Sequence, residues 1–351
     1  MKFLSFNFTF INENQISQII YKICFIINNL ILIYLSKYIY YNKINNNSFL
    51  NENNNYEKQI KLNYSTNKFA IIGVDCVTCG LFAIYKYSMR CLIDFIFKGY
   101  IPLIELLSLP NIFNSFNNKN ITLKINPWEF YFNQPYGYKL KSVEEKAKNI
   151  KYFKCNTTFH IPIPDYFIYL NKGLSDFWHN IALKYIPIKI EIINETNIII
   201  KKLFKGSKNI LGVLARGTDY ISLKPKHHPK QPNINIMIKD IKEMNLKYKY
   251  DWIFLTTEDY LIKSTFIQTF KNKLKYLKNN NNINYNYKEK KKLGFNEKIK
   301  GNLQFQKNYL INIIILSKCI DIISALTSGT IGTFILSEGF RNSKIYYSGF
   351  Y

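Results

Sequence analysis

The sequence predicts an α/β protein built on parallel β-sheets. Residues Phe69–Ile104 read in the order strand, loop, helix, strand, which is how a parallel sheet begins. In the second half, three apolar runs each end in a cluster of charged or hydroxyl residues. Ligands of open α/β sheets bind beyond the carboxyl ends of the strands. The three clusters therefore predict one shared ligand site.

The bulk composition allows a large folded protein. The chain has 351 residues, enough for two ordinary domains or one large one. Hydrophobic residues make up 47%, which excludes a disordered chain. The formal net charge of +25 attracts nucleic acid, anionic lipid or nucleotide-linked substrates, and does not choose among them.

The cysteines predict neither a disulfide framework nor a complete metal site. Six are scattered along the chain, so we expect reduced thiols in a cytosolic protein. Cys76 and Cys79 form a CxxC, which suits a redox pair or half of a zinc site. A tetrahedral site needs four ligands, and no second pair lies nearby in the sequence. We therefore predict no metal.

The first part of the chain is apolar and then asparagine-rich. Residues 1–45 lack a cleavable signal but contain the apolar stretch Ile16–Tyr41, interrupted by lysines and asparagines. Three interpretations fit: an amphipathic helix lying on an anionic membrane, a spanning anchor, or a helix packed on the domain. Residues 46–66 are typical of a linker.

Residues 67–195 are predicted to form an N-terminal Rossmann-like acceptor domain. It starts with a buried strand that ends at Asp75, a helix over Leu81–Phe97, and a strand over Tyr100–Ile104. The aromatic segment Asn126–Phe132, which contains Glu129, suits either packing between layers or an acceptor platform. A long helix is predicted over residues 176–200.

Residues 196–351 are predicted to form a second Rossmann-like domain. The buried strand Ile210–Ala215 runs into Arg216, Gly217, Thr218 and Asp219. An arginine at a strand end grips phosphate oxygens through two hydrogen bonds. The basic run 224–229, with His228, follows. A strand followed by a solvated basic turn is the alternative.

Two more strand ends in this domain resemble the first. The strand Asp251–Leu255 runs into Thr256, Thr257, Glu258 and Asp259. Asp219 and Asp259 suit a turn cap and a helix N-cap as well as ligand binding. The strand Ile320–Leu326 ends in the turn 327–332, whose glycines and hydroxyls suit an anion cradle.

Between these strands lies a lysine- and asparagine-rich tract. Residues 271–301 contain NNNNINYNY, and we expect a long surface loop there. Basic aromatic tracts also bind single-stranded nucleic acid by stacking. Low-complexity drift in a loop is the favoured explanation, so no specific nucleic-acid partner is predicted.

These residues together resemble the bacterial branch of the fucosyltransferase superfamily, which includes α1,2- and α1,6-fucosyltransferases and protein O-fucosyltransferases. Arg216 and Asp219 match two positions of its HxRxxD pattern, while Leu214 occupies the histidine position. TTED (256–259) is similar to the family's acidic turn. LSKCIDIISALTSGTIG is similar to the segment that meets the nucleotide phosphates. The likeness extends over most of the chain from Phe69 on.

The resemblance implies a GT-B-like architecture, with two Rossmann-like domains facing across a cleft. It implies a GDP-sugar in the C-terminal domain and an acceptor in the N-terminal one. The implied nucleotide-sugar residues are Arg216, Thr218, Asp219, Tyr220, His228, Glu258, Asp259, Asp321, Thr327, Ser328, Gly329 and Thr330. Such enzymes invert the anomeric carbon and need no metal, because arginine and helix amides neutralise the leaving diphosphate.

The functional prediction is therefore an inverting, metal-independent glycosyltransferase. It moves a sugar, with fucose favoured, from a GDP-sugar to a glycan or lipid-linked glycan in surface polysaccharide or lipopolysaccharide synthesis. Arg216 stabilises the leaving diphosphate, and Asp75 or Glu129 deprotonates the acceptor. No cofactor is expected besides the GDP-sugar donor substrate. We expect a cytoplasmic protein at the inner face of the membrane.

Two rival hypotheses stay open. A non-enzymatic basic protein that binds anionic membrane or nucleic acid would account for the net charge of +25 and the apolar N-terminal stretch. A related transferase that uses another donor, or has lost activity, would account for Leu214 in place of the motif histidine.

Overall fold

Two parallel β-sheets form the scaffold. The computed structural model describes residues 63–77, 79–113, 125–155, 168–278 and 301–351, so the predicted helix over Ile16–Tyr41 and most of the linker lie outside the described residues. The first sheet has the order β2-β1-β3 and consists of β1 (Phe69–Gly73), β2 (Ile101–Glu105) and β3 (Ile150–Lys154). All its pairings are parallel.

The second sheet has five parallel strands in the order β6-β5-β4-β7-β8. They are β4 (Ile210–Leu214), β5 (Trp252–Thr256), β6 (Leu274–Lys275), β7 (Asp321–Ala325) and β8 (Asn342–Tyr346). Numbered within this half, the order is 3-2-1-4-5, which is that of a Rossmann fold. The predicted class, α/β with two Rossmann-like halves, is confirmed.

Helices connect the strands and cover both sheets. In chain order they are α1 (Leu81–Phe97), α2 (Trp128–Tyr131), α3 (Leu140–Lys146), α4 (Lys172–Tyr185), α5 (Ile190–Phe204), α6 (Thr218–Leu223), α7 (Ile234–Tyr248), α8 (Tyr260–Phe270), α9 (Leu303–Ser317) and α10 (Ser328–Leu336). The bounds of α1 are those predicted. Short 3-10 turns add Pro135–Gly137, Ile168–Leu170 and Lys271–Lys273.

The two halves meet where α1 packs on α10. The ring of Phe82 fills the space beside Gly332, where a Cβ would overlap the ring. Phe82 is the second residue of α1 and Gly332 the fifth of α10, so both helices begin near this contact. Each of these helices starts at the carboxyl edge of its sheet. The carboxyl edges of the two sheets therefore lie towards the same region.

Several predicted elements differ from the structure. The single helix predicted over residues 176–200 is two helices, α4 and α5, because Pro187 falls between them. The predicted loop 271–301 begins with a 3-10 turn and β6, and residues 279–300 lie outside the described part. The half-exposed strands β3 and β8 were not predicted, since they lack continuous apolar runs.

The expectation of reduced thiols is wrong for four cysteines. Cys76 pairs with Cys79, and Cys91 pairs with Cys155. The second bond joins α1 to the end of β3, across 64 residues of sequence. A separation of that size gives no sign of spatial proximity. Cys319 is free and buried.

Two features are absent from the described residues. No helix among them is long and apolar enough to cross a bilayer. Within the same residues, no group of three or more His, Cys, Asp and Glu side chains is arranged to hold a metal ion.

Candidate functional site

The turn after β4 has an unusual backbone that its neighbour fixes. Thr218, the first residue of α6, has a positive φ of 48°, which is uncommon for a β-branched residue. Its amide donates to Asp259 Oδ2 (3.0 Å), and its hydroxyl donates to Glu258 Oε1 (3.0 Å). The turn after β5 therefore holds the turn after β4 in this conformation.

Arg216 lies in a cage of two carboxylates and an aromatic ring. Its Nη2 is 3.0 Å from Asp219 Oδ1, its Nη1 is 3.3 Å from Glu258 Oε2, and its guanidinium carbon lies 4.8 Å from the centre of the Tyr220 ring. Burial opposes the charge of Arg216, but Glu258 and Asp219 outweigh it and raise the pKa above its ordinary value. The guanidinium is therefore charged at any physiological pH.

Asp259 joins the two turns. Its Oδ1 accepts from the amides of Leu261 and Ile262 at the start of α8, at 2.8 and 3.1 Å, so it is the N-cap of that helix. Its other oxygen accepts from Thr218. The N-cap role that the sequence offered for Asp259 is thus the one the structure shows, and the same carboxylate positions the Arg216 turn.

A substitution at Gly217 tests the contact between the two turns. A Cβ at Gly217 would overlap the carboxylate of Asp259, so Gly217→Ala is expected to separate the two turns and lower the free energy of unfolding by about 1–3 kcal/mol. Urea denaturation measures the loss. Gly80→Ala is the control, because a Cβ there meets nothing within 4 Å. Equal stability of the two variants would contradict the proposed role of the Asp259 contact.

The start of α10 offers unpaired backbone donors. Thr327 and Thr330 form a capping box: Thr330 N donates to Thr327 Oγ1 (3.2 Å), and Thr327 N donates to Thr330 Oγ1 (3.1 Å). Among the described residues, the amides of Ser328 and Gly329 have no hydrogen-bond acceptor. Free amides at a helix N-terminus attract anions. The helix starts inside the turn 327–332 that the sequence predicted.

Arg216 and the start of α10 flank the switch point of the second sheet. β4 and β7 are neighbours, and the strand order reverses between them. Arg216 follows β4 and Ser328 follows β7, so both lie at the carboxyl edge where ligands of such sheets bind. Leu214, at the motif's histidine position, is buried with its Cδ2 3.4 Å from the Cβ position of Gly329.

His228 reaches the site through Tyr220. The two rings meet edge to face, 5.3 Å apart, and His228 Nδ1 lies 3.1 Å from the carbonyl oxygen of Lys226. The basic loop itself is fixed by backbone pairing, since Lys230 N donates to the carbonyl of Gly349 (2.9 Å). The sequence placed Tyr220 and His228 in one site, and the structure brings their rings together.

Asp321 does not join the other predicted residues. It is the first residue of β7 and therefore lies at the opposite edge of the sheet from Arg216. Its carboxylate is fully buried and accepts from Arg341, Asn342 and the Tyr250 hydroxyl. Arg341 and these donors outweigh the effect of burial and lower the pKa of Asp321. Asp321 therefore makes its contacts at the far edge of the sheet from Arg216, and the nucleotide role implied for it stays a prediction.

The two candidate bases make contacts within the N-terminal half. Asp75, after β1, pairs with Lys154 Nζ at 2.5 Å. Glu129 Oε1 accepts a hydrogen bond from the amide of Leu140, the first residue of α3 (2.9 Å). The buried Trp128 and Tyr131 beside it favour the packing interpretation of this aromatic segment.

One residue at the site was not predicted from the sequence. Tyr309, on α9, has its hydroxyl against Gly329, and its ring meets Phe82 edge to face at 5.7 Å. Tyr309 does not follow a strand, because it lies in the helix that precedes β7, 18 positions before Thr327. The sequence around it, LQFQKNYLINIIILS, is a buried helix with no motif that singles out Tyr309.

Comparisons with known proteins report fold likeness only. No protein-family model matches the chain, and no curated protein does either. A solved structure of NodZ alpha-1,6-fucosyltransferase soaked with GDP-fucose is similar over 77% of this chain and 93% of its own, with 11% identity and a TM-score of 0.41. Fucosyltransferase NodZ from Bradyrhizobium gives 10% identity, 77% and 94% coverage, and a TM-score of 0.41.

A third solved structure, POFUT1 in complex with GDP, covers 80% of this chain and 98% of its own. The identity is 8% and the TM-score is 0.45. At such identities the likeness concerns the fold alone. What the chain's own residues define is an α/β protein with a charged arginine and free helix amides at the switch point of its second sheet.

Proposed function

We propose that this protein is a glycosyltransferase that binds a GDP-sugar at the carboxyl edge of its second sheet. The observation that carries the proposal is the placement of Arg216 and the free amides of Ser328 and Gly329 on the two sides of one switch point. An arginine and a helix N-terminus are the groups that bind phosphate oxygens. A diphosphate offers phosphate oxygens to both groups.

The mechanism follows from the charge that develops on the leaving group. When the bond between sugar and diphosphate breaks, negative charge grows on the diphosphate, and fixed donors lower the barrier. Arg216 is pre-positioned by Asp219, Glu258 and Tyr220, so it needs little reorganisation. The inverting, metal-independent course and the preference for GDP-fucose come from the sequence resemblance and are part of this proposal.

Asp75 is the better candidate for the base that deprotonates the acceptor. It follows β1, at the carboxyl edge that lies towards the second sheet, and its side chain is 30% exposed. Glu129 Oε1 already accepts a hydrogen bond from the Leu140 amide. The acceptor, a glycan or lipid-linked glycan of surface polysaccharide or lipopolysaccharide, would lie on this side. A cytoplasmic location at the inner face of the membrane also belongs to the proposal.

The test compares thermal stabilisation by GDP, UDP, ADP and CMP. A ligand at 100 times its dissociation constant adds about 2.7 kcal/mol to the free energy of unfolding. We expect GDP alone to raise the melting temperature, followed by hydrolysis or transfer when GDP-fucose and a glycan mixture are supplied. Stabilisation by none of the four would overturn the proposal and favour the basic binding protein, which salt-sensitive binding of anionic vesicles or nucleic acid would reveal.

A further inference from the structure

A tyrosine from α9 reaches the first turn of α10. The hydroxyl of Tyr309 lies against Gly329, where a Cβ would overlap it. Leu214 Cδ2 and Ile313 Cδ1 are each 3.4 Å from the same position. The missing side chain of Gly329 therefore leaves a space that the phenol hydroxyl fills, next to the free amides at the start of the helix.

The Tyr309 hydroxyl is a neutral donor. Burial raises its pKa to about 12, while the charge of Arg216 lowers it and that of Glu258 raises it. The phenol is therefore protonated at neutral pH and close enough to the Arg216 cage to sense both charges. In the described part of the chain, its hydroxyl has no hydrogen-bond partner. Tyr309 is half-buried, so solvent or a ligand is left to supply the partner that tyrosine hydroxyls usually find.

The charges of the cage explain why a neutral donor would matter. Arg216 contributes one positive charge, while Asp219 and Glu258 contribute two negative ones, so the three groups together carry a net negative charge. A diphosphate that contacts Arg216 is therefore also repelled by the excess negative charge of the two carboxylates. Donors without an attached carboxylate, such as helix amides and a phenol, bind phosphate oxygens without breaking the ion pairs.

We propose that Tyr309 is a specificity-determining residue whose hydroxyl donates to a phosphate oxygen of a nucleoside diphosphate held between Arg216 and the start of α10. The inference rests on the proposed function for the identity of that ligand. It predicts that Tyr309 selects for the phosphate part of the ligand and is indifferent to the base.

The first experiment removes the hydroxyl and keeps the ring. Tyr309→Phe retains the contact with Phe82, and titration calorimetry on the full chain measures affinity for GDP, guanosine and inorganic pyrophosphate. Because a hydrogen bond to a charged group is lost, we expect Kd for GDP and pyrophosphate to rise about tenfold or more, with guanosine unchanged. Tyr248→Phe is the matched control, since its hydroxyl donates to Asn342 at the opposite edge of the sheet.

A second experiment tests the contact itself. Gly329→Ala would push the Tyr309 hydroxyl aside and should weaken GDP binding to a similar degree. In the Tyr309→Phe background, Gly329→Ala should reduce GDP affinity much less, because the hydroxyl that the alanine would displace is already absent. Additive effects in this double-mutant cycle would mean that the two sites act independently.

The outcomes separate this inference from the proposed function. If wild type binds GDP and Tyr309→Phe binds it equally well, or if guanosine binding falls as much as GDP binding, the inference is overturned and the transferase proposal stands. If wild type binds pyrophosphate but prefers no guanine nucleotide, a tenfold loss in Tyr309→Phe still supports the inference while the GDP assignment fails. Wild type that binds neither overturns both.

Discussion

Arg216→Ala is expected to remove GDP binding from the measurable range and to reduce sugar transfer by a factor of about 10² to 10³. The loss of one pre-positioned donor to the charge of a transition state typically costs about 3–4 kcal/mol of barrier. Arg216 also supplies the one positive charge that the cage of Asp219 and Glu258 surrounds. Calorimetric titration with GDP and an initial-rate assay with GDP-fucose measure the two effects.

Arg216→Lys should retain only part of the GDP affinity and of the sugar-transfer rate. Lysine keeps the charge, but it cannot reach Asp219 and Glu258 with the two arms of a planar fork or stack equally well over Tyr220. We expect GDP affinity between those of wild type and Arg216→Ala. An affinity equal to wild type would mean that only the charge matters, and that the geometry of the cage has no role in binding.

Arg341→Ala is the control for stability. Arg341 is also paired with an aspartate and lies over a tyrosine ring, that of Tyr248, at 4.5 Å, but at the opposite edge of the sheet. Both alanine variants should lose stability, because each leaves a buried carboxylate unpaired. Only Arg216→Ala should lose affinity for GDP. Equal loss in both variants would attribute the Arg216 effect to general destabilisation.

The site residues that directly follow a strand could be predicted from the sequence. Arg216 and Asp219 follow a buried apolar run, and Glu258 and Asp259 follow the next one, so the parallel sheet alone brings them together. The ion pair between Arg216 and Glu258, across 42 positions, needed only the pairing of two adjacent strands. The same argument placed the start of α10 beside them.

The contacts that the sequence could not supply depend on how the elements pack against one another. Tyr309 belongs to the site because α9 packs against α10 at Gly329. Nothing near Tyr309 in the sequence indicates this contact. The bond between Cys91 and Cys155 likewise depends on how α1 lies against β3. The hydrogen bond from the Leu140 amide to Glu129 also depends on packing that the sequence does not mark.

Asp321→Ala is expected to lower the free energy of unfolding by about 3 kcal/mol while leaving GDP affinity unchanged. The fully buried carboxylate accepts from Arg341 Nε (3.1 Å) and Nη2 (2.5 Å) and from the Asn342 amide (2.8 Å), and the Tyr250 hydroxyl donates to it as well. Breaking a buried pair costs about 3–5 kcal/mol, and the 42% exposure of Arg341 places this case at the lower end.

The pH dependence of this effect has a definite sign. The pKa of Asp321 is lowered in the folded protein, because its hydrogen bonds to Arg341, Tyr250 and Asn342 outweigh burial. Its contribution to stability is therefore complete above the unfolded pKa of about 4, and is lost as the pH falls through the lower folded value. The stability difference between wild type and Asp321→Ala should be constant from pH 5 to 8 and shrink below about pH 4.

Together the two readouts decide where Asp321 acts. The resemblance to fucosyltransferases implies that Asp321 contacts the nucleotide, whereas its place at the start of β7 puts it at the far edge of the sheet. A drop in melting temperature at constant GDP affinity would support the second position. Asp321→Asn, which keeps the shape of the side chain, serves if the alanine variant does not fold. A variant that melts like wild type but loses GDP would return Asp321 to the binding site and contradict the register of β7.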